Sequence, residues 1–334
     1  MHSASCHVLL TKLQTNHMKK KTIITSATAI TIASSALAGP MSVELEPAAA
    51  APTKNAFENA RRPISNPTLF DLAVPRTALH AIYMHHKFPS KINTTAGKLD
   101  MGGDLNLYAL GFEYAINERF SIIGLKDGYV DFNPDNTFTS EEGFANIAAG
   151  VKYAFIYSPE SQYAMSGSAI LELPLGDEEI FQGEGDGSIN LSLQNLKLVN
   201  QWQFSSSLGC QIPFDSSFST NAWASAHVSY ELNRWFIPLL EVNYFRVLDN
   251  GDGASRYPDQ AGGGVAAVAE FEGADLLNWG AANSDGADYA TVALGFRSRL
   301  TGQLDLGVAY ELPLTDEKNN ITESRLTVDL FYTF

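Results

Sequence analysis

Residues 324–334 of the chain are Ser-Arg-Leu-Thr-Val-Asp-Leu-Phe-Tyr-Thr-Phe. Apolar side chains occupy every second position of this stretch, at Leu326, Val328, Leu330, Tyr332 and Phe334. Because successive side chains of a strand point to opposite faces, this spacing predicts a β-strand with one apolar face. An exposed strand of this kind is an unpaired edge that invites aggregation. Since pairing with the first strand of a closed barrel removes the edge, we expect this segment to close a β-barrel.

The same alternation recurs along the chain from Ala78 onward. Tyr108, Leu110, Phe112 and Tyr114 provide one example, in which the intervening positions are small or charged. Between the apolar positions the chain is rich in Gly, Ala, Ser and Asn, which favours a barrel lumen over the charged outer face of a soluble sandwich. The pattern predicts about twelve strands, at roughly 78–88, 104–116, 119–131, 144–157, 162–174, 189–195, 199–212, 220–231, 235–248, 288–299, 303–314 and 324–334.

The predicted connections alternate between short and long along the chain. Short turns are expected at 117–119, 158–161, 195–199, 232–234 and 300–302, and long loops at 89–103, 132–143, 175–188, 213–219, 249–287 and 315–323. Short periplasmic turns and long extracellular loops are typical of outer-membrane barrels. We therefore predict an all-β fold, a transmembrane antiparallel up-and-down β-barrel, which contacts the lipid bilayer of a bacterial outer membrane.

The residues before Ala78 carry the pattern of an export signal. Lys19, Lys20 and Lys21 precede the uncharged residues 22–35 and the tripeptide Ala36-Leu37-Ala38. This order is that of a secretory signal peptide with its cleavage site. We expect residues 1–38, an upstream extension plus this signal, to be removed. Residues 39–77, rich in Ala and Pro, are expected to form a flexible periplasmic leader, and residues 78–334 the barrel.

Composition excludes several classes of function. The net charge of −15 argues against a nucleic-acid partner, because phosphate binding needs clusters of Lys and Arg. Cys6 lies in the segment expected to be removed, so Cys210 has no partner for an internal disulfide. The acidic loops around Asp177 and Asp249 lack the spacing of a calcium-binding EF-hand loop. We predict neither a metal site nor a cofactor.

Charged side chains of both signs are predicted to face the lumen. By alternation these candidate lumen and selectivity residues are Glu113, Lys152, Glu172, Glu231, Glu241, Arg297, Arg299, Asp305, Glu311, Arg325 and Asp329. Charged rings tune ion selectivity in a pore, but the same charges could pair across the lumen and fill it. The stretch 249–287 is too long for a plain connection and contains an apolar segment at 265–271. It is predicted either to enter the mouth as a constriction or to form a β-extension above the membrane.

A hydrolase is the least favoured alternative. His227 lies near Ser225, Ser229 and Glu231 on the lumen-facing register. Neighbours two apart on a strand are separated by about 6–7 Å, which we expect to be too far for a direct hydrogen bond between nucleophile and base. The sequence contains no G-x-S-x-G, H-E-x-x-H or C-x-x-C motif. We therefore do not predict an enzyme.

Several short motifs resemble a family of outer-membrane proteins named for a link to the meta-pathway of phenol degradation. They are the strand ends Leu173-Pro174-Leu175, Ile212-Pro213-Phe214 and Leu312-Pro313-Leu314, the acidic loop at 181–187 and the strand at 236–241. The resemblance covers roughly residues 78–334 and implies an outer-membrane channel or transporter for hydrophobic or aromatic compounds. The terminal strand also resembles the aromatic signal that directs barrels to the barrel-assembly machinery.

The function predicted from the sequence is passive passage of small solutes, with the lumen charges setting selectivity and the 249–287 loop acting as a gate. A structural or surface-binding barrel without a conducting pore is the alternative.

Overall fold

The computed structural model describes residues 56–316 and 319–334. The predicted signal peptide and the part of the predicted leader before residue 56 lie outside them. Within the described residues, no helix has the length and apolar character that a membrane-spanning helix requires.

Twelve antiparallel strands form one closed barrel with up-and-down order. The first strand, β1 (Ala78–Lys87), pairs with the last, β15 (Ser324–Thr333), so the predicted closure by the C-terminal strand is confirmed. The ten barrel strands between them are β4 (Gly103–Ala115), β5 (Phe120–Pro134), β7 (Ile147–Ser158), β8 (Tyr163–Leu173), β9 (Ser188–Val199), β10 (Trp202–Pro213), β11 (Thr220–Tyr230), β12 (Ile237–Asp249), β13 (Asp288–Arg299) and β14 (Leu304–Pro313).

Three further strands lie in segments predicted to be loops. β2 (Lys91–Thr94) and β3 (Gly97–Asp100) form a hairpin between β1 and β4. β6 (Glu141–Phe144) pairs with the end of β5. The structure also corrects one turn: β9 continues past the predicted turn at 195–199 to Val199. The reversal falls at Asn200, whose positive φ of 54° is one that Asn tolerates better than most residues.

The outer face of the barrel is apolar, as the alternation predicted. Tyr108, Leu110 and Phe112 of β4 are each at least half exposed, at 54%, 51% and 50%, whereas the lumen-facing Lys152 and Glu241 are fully buried. Aromatic and aliphatic side chains on the outside and polar groups inside are what a strand in lipid requires.

A β-bulge interrupts the alternation in β5. Leu110 pairs with Asp127 and Phe112 pairs with Gly124, so β5 contains one more residue than β4 between these pairs. An extra residue switches the face on which all later side chains lie. Accordingly, Ile123 and Leu125 are buried before the bulge, and Val130 and Phe132 after it.

Residues 56–76, which we call the plug, lie inside the barrel. Phe57, Ile64 and Phe70 are almost completely buried, and Phe57 and Leu72 pack in one cluster with wall residues that include Leu196. The expectation of a flexible periplasmic leader therefore fails for these residues. The physical reason is that the apolar side chains of the plug pack against the wall and that its polar groups find buried partners there.

The long loops pack into one apolar cluster, which we call the cap. It joins Phe88, Ile92 and Met101 between β1 and β4 to Phe138, Phe181, Tyr257, Phe271, Leu277 and Trp279 of the loops after β5, β8 and β12. The ring of Phe138 stacks on that of Trp279 with centroids 6.0 Å apart. The 249–287 stretch therefore folds over the mouth. Its regular structure is a single 3₁₀ turn at Gly263–Ala267, so the predicted alternative of a β-extension within it is wrong.

Candidate functional site

A first group of buried charges joins the plug to β4 and β7. Lys152 donates hydrogen bonds from Nζ to Asp71 of the plug at 2.7 Å and to Glu113 at 3.1 Å. Arg62 donates from Nε to the same Asp71 carboxylate at 3.1 Å. Burial alone would raise the pKa of Asp71, but Lys152 and Arg62 outweigh it and hold the pKa well below its ordinary value. Asp71 is therefore a carboxylate at neutral pH.

A second group centres on the carboxylate of Glu241. It accepts hydrogen bonds from the backbone N–H groups of Ile64 at 3.0 Å and Ser65 at 2.7 Å, both in the plug. His227 lies with Nδ1 2.7 Å from Glu241 and Nε2 2.9 Å from the hydroxyl of Ser229. The expectation that His227 and Ser229 are too far apart is therefore wrong. Their side chains project from the same face of one strand and converge, which the spacing of their backbones does not reveal.

The Ser229–His227–Glu241 arrangement has the order of a catalytic triad, but its members hold the plug. Arg61 donates from Nε to the Ser229 hydroxyl at 3.0 Å, and both Glu241 oxygens are taken by plug backbone. All three triad-like side chains are buried. Ser225, which the sequence also placed near His227, accepts a hydrogen bond from the Asn66 side-chain amide at 3.4 Å. The arrangement therefore anchors backbone and does not present a free nucleophile.

Arg61 and Gln203 bind each other through backbone and side chain. The Arg61 N–H donates to the Gln203 amide oxygen at 2.7 Å, and the Gln203 amide nitrogen donates to the Arg61 carbonyl at 2.6 Å. The Arg61 guanidinium lies 3.3 Å from Glu231, which also pairs with Arg299 at 3.0 Å. Burial, followed by the positive charge of Arg299, lowers the pKa of Arg61 to about 10, so the group stays charged at neutral pH.

A third group lies on the last strands. Arg297 donates two hydrogen bonds to Asp329 at 3.0 and 2.9 Å and a third to the carbonyl of Arg62 at 2.8 Å. His80 completes the group, with Nε2 2.8 Å from Asp329. Bidentate arginine–carboxylate pairs are strong and fix geometry. The plug is thus bonded to the wall on several sides of the barrel.

A buried ion pair bonds the cap to the wall. Asp275, in the loop between β12 and β13, accepts two hydrogen bonds from Arg325 of β15, at 2.8 and 2.9 Å. Arg325 also lies 3.6 Å from Glu311 and donates to His86 at 3.1 Å. Asp275 is buried, so part of this long loop reaches into the lumen.

The eleven candidate lumen residues lie on the inner face of the barrel. Lys152, Glu241, Arg297, Glu311, Arg325 and Asp329 are buried, and Glu172 accepts hydrogen bonds from Asn146 and Gln211. Asp305 lies near Arg297 and Arg299, whose positive charges act on it. A role in ion selectivity stays a prediction. The sequence analysis missed the residues that contact these lumen side chains, namely Arg61, Arg62, Asp71 and Asp275. The first three stand out as charged residues in the segment 39–77, which is otherwise rich in Ala and Pro.

Between the plug and the cap lies an apolar cavity, which we call the chamber. Its volume is about 70 Å³, and its floor is formed by Pro67 and Thr68 of the plug. Leu107, Leu125 and Val130 line the wall, with Leu276 and Leu277 of the cap above. Apolar lining with few polar groups is typical of sites that take uncharged organic molecules.

No protein-family model matches the chain, and no curated protein matches it. Among solved structures it is similar to an outer-membrane channel from Pseudomonas putida, at 12% identity and a TM-score of 0.53, over 78% of this chain and 96% of that one. It is also similar to the NanC porin, at 6% identity over 77% of this chain and all of that one, with a TM-score of 0.45. The KdgM porin gives 8% identity and a TM-score of 0.42 over 76% of this chain and 99% of that one.

The likeness to the Pseudomonas putida channel is one of fold. With the closed twelve-strand barrel and its apolar outer face, it makes this chain a β-barrel protein of the bacterial outer membrane.

Proposed function

We propose that the barrel is a channel for small apolar solutes, with hydrophobic and aromatic compounds as its substrate class. The observation that carries the proposal is the chamber, a cavity lined mainly by aliphatic side chains inside an otherwise polar lumen. A polar group buried without a partner is costly, so such a cavity favours molecules that make few hydrogen bonds.

The plug argues against an open, water-filled pore. It contributes Arg61 and Asp71 to ion pairs with the barrel wall, while Arg62 contacts His80 of β1 at 2.7 Å, and it fills the lumen beside them. In this proposal the lumen charges position the plug and the cap, whereas in the sequence-based prediction they select ions. The 249–287 loop keeps its predicted role as the gate, since Asp275 of that loop also borders the chamber.

The experiment compares solute uptake with ion conductance for residues 39–334 refolded into liposomes and planar bilayers. We expect uptake of a neutral aromatic such as toluene above protein-free liposomes, together with a small ion conductance. Large, steady ion currents without aromatic uptake would contradict the proposal. The absence of both ion current and solute uptake would favour the surface-binding barrel.

A matched pair of variants tests the chamber itself. Val130→Trp places an indole in the chamber, whereas Val151→Trp places the same group on the outer face of β7, where Val151 is exposed. A loss of about 1.4 kcal/mol in solute binding corresponds to about a tenfold effect. We expect solute uptake to fall at least about tenfold in Val130→Trp and to change little in Val151→Trp. Equal uptake by both variants would exclude the chamber from the path.

A further inference from the structure

The lining of the chamber includes three side chains that can form hydrogen bonds. Thr68 belongs to the plug, and Gln182 and Asp275 belong to the long loops. The other residues that line the chamber are aliphatic residues, glycines and a proline. Because a buried polar group either has a partner or is available to one, the hydrogen bonds of these three side chains decide what polar chemistry the chamber offers to a solute.

Two of the three side chains are engaged by protein. Both carboxylate oxygens of Asp275 accept hydrogen bonds from Arg325, at 2.8 and 2.9 Å. The Gln182 amide nitrogen donates to the carbonyl of Phe181 at 3.1 Å, and its amide oxygen accepts from the backbone N–H of Asn146 at 3.2 Å. These two side chains therefore hold the loops over the chamber.

The hydroxyl of Thr68 is different. It is buried, and it forms no hydrogen bond with any residue that the structure describes. The hydroxyl oxygen is covered by protein, so other atoms of Thr68 face the chamber. Rotation about the Cα–Cβ bond to another staggered position exchanges methyl and hydroxyl, and this rotation breaks no hydrogen bond. The hydroxyl can therefore turn toward a solute in the chamber and gain the partner that it lacks.

The backbone on both sides of Thr68 is fixed. The carbonyl of Pro67 accepts a hydrogen bond from Arg62 at 3.0 Å. The carbonyl of Leu69 accepts two hydrogen bonds from the wall, from the Ser207 hydroxyl at 3.1 Å and from the Trp223 indole at 3.0 Å. The position of Thr68 on the chamber floor is thus set before a solute arrives, which lowers the entropic cost of binding.

We infer that Thr68 is a specificity-determining residue of the chamber, which binds neutral apolar solutes that carry one hydroxyl or carbonyl group. A threonine hydroxyl can donate to a carbonyl oxygen and can donate to or accept from another hydroxyl. The rest of the solute lies against the aliphatic wall. This inference rests on the proposed function, because it narrows the class of apolar solutes that the channel admits.

The test compares two solutes of similar shape, benzyl alcohol and ethylbenzene, which differ by a hydroxyl in place of a methyl group. Equilibrium binding of each solute is measured on refolded residues 39–334 and on Thr68→Val. The substitution keeps the shape of the side chain and removes only the hydroxyl. We expect the affinity for benzyl alcohol relative to ethylbenzene to fall about fivefold in Thr68→Val, as the loss of one neutral hydrogen bond produces. An unchanged ratio would overturn the inference.

Two further variants separate the hydroxyl from a general effect of the substitution. Thr68→Ser keeps a hydroxyl at the same position, so we expect the ratio of the intact chain. Thr327→Val is the matched control, because Thr327 also has a buried hydroxyl without a partner among the described residues but does not line the chamber. We expect it to leave the ratio unchanged. A fall of the same size in Thr327→Val, or in Thr68→Ser, would refute Thr68 as the determinant.

Uptake into proteoliposomes distinguishes this inference from the proposed function. A ratio that depends on Thr68, without uptake of either solute above protein-free liposomes, would support the binding site and contradict the channel. Uptake of both solutes with a ratio that is the same in Thr68→Val would support the channel and contradict the role of Thr68.

Discussion

Lys152 of β7 and Asp71 of the plug form an ion pair of 2.7 Å, in which the lysine is completely buried. One partner belongs to the barrel wall and the other to a segment outside any strand. Since a buried charge without a partner is strongly destabilising, each residue stabilises the other, together with Glu113 beside Lys152 and Arg62 beside Asp71. The pair therefore couples the position of the plug to the ionisation of one carboxylate.

Asp71→Asn should loosen the plug. Removing one partner of a buried ion pair costs about 3–5 kcal/mol, although Glu113 remains as a partner for Lys152. We expect faster hydrogen exchange in residues 56–76 at pH 7, measured by mass spectrometry. Asp259→Asn, at an exposed position of the long loop, is the control. Unchanged exchange in the plug would show that this pair does not anchor it.

The same pair predicts a dependence on pH. Because the pKa of Asp71 in the folded protein is lowered, its stabilising effect is fully present above about pH 5 and is lost progressively at lower pH. Single-channel conductance should therefore rise as the pH falls below this value. Asp71→Asn should show higher conductance at neutral pH and a weaker pH dependence. Identical pH profiles for the two proteins would assign the effect to other groups.

Removing the plug should convert the barrel into an open pore. A chain lacking residues 56–71 loses the contacts of Arg61, Arg62 and Asp71 with the wall and leaves space in the lumen. We expect larger and longer single-channel openings, whose ion selectivity then reports the lumen charges Glu231, Glu241 and Arg297. A conductance equal to that of the intact chain would mean that the plug does not limit ion flow.

Asp275→Asn should release the cap. The substitution weakens a bidentate pair with Arg325, at a cost of up to about 3–5 kcal/mol, since Glu311, 3.6 Å from Arg325, remains as a weaker partner. We expect the buried Trp279 to become more accessible to acrylamide, measured as fluorescence quenching in a chain where the other tryptophans are replaced by Phe. Asp285→Asn serves as the control within the same loop. Equal quenching in the two variants would place the anchor of the cap elsewhere.

Phe334→Ala should slow insertion of the barrel. Leu326, Val328, Leu330, Tyr332 and Phe334 form the outer face of the last strand, and Phe334 is 67% exposed. Because its ring is not part of the interior packing, the substitution should leave the folded barrel stable and act on recognition by the barrel-assembly machinery. Heat-modifiable mobility in outer-membrane fractions measures the folded yield. A normal yield would argue against the terminal aromatic as the signal.

Alternation predicted most of the strands because lipid and lumen impose opposite demands on successive residues. Where the chemistry of the two faces is distinct, as at 104–115, strand bounds and facing residues followed from the sequence. Where a bulge shifts the register, opposite the Leu110/Phe112 step of β4, the alternation in β5 is interrupted. Pairing with β4 then decides which face of the barrel the later side chains of β5 occupy.

The sequence by itself determined the barrel, its closure by residues 324–333 and the inner position of the charged side chains, because each depends on a period of two along one strand. Only the tertiary structure decided what those charges do. Asp71 with Lys152, Ile64 with Glu241 and Asp275 with Arg325 are each at least 50 positions apart, and neither the plug nor the cap has a periodicity to predict its partner. The chamber likewise exists only where plug, wall and cap meet, since a cavity is a property of packing between segments.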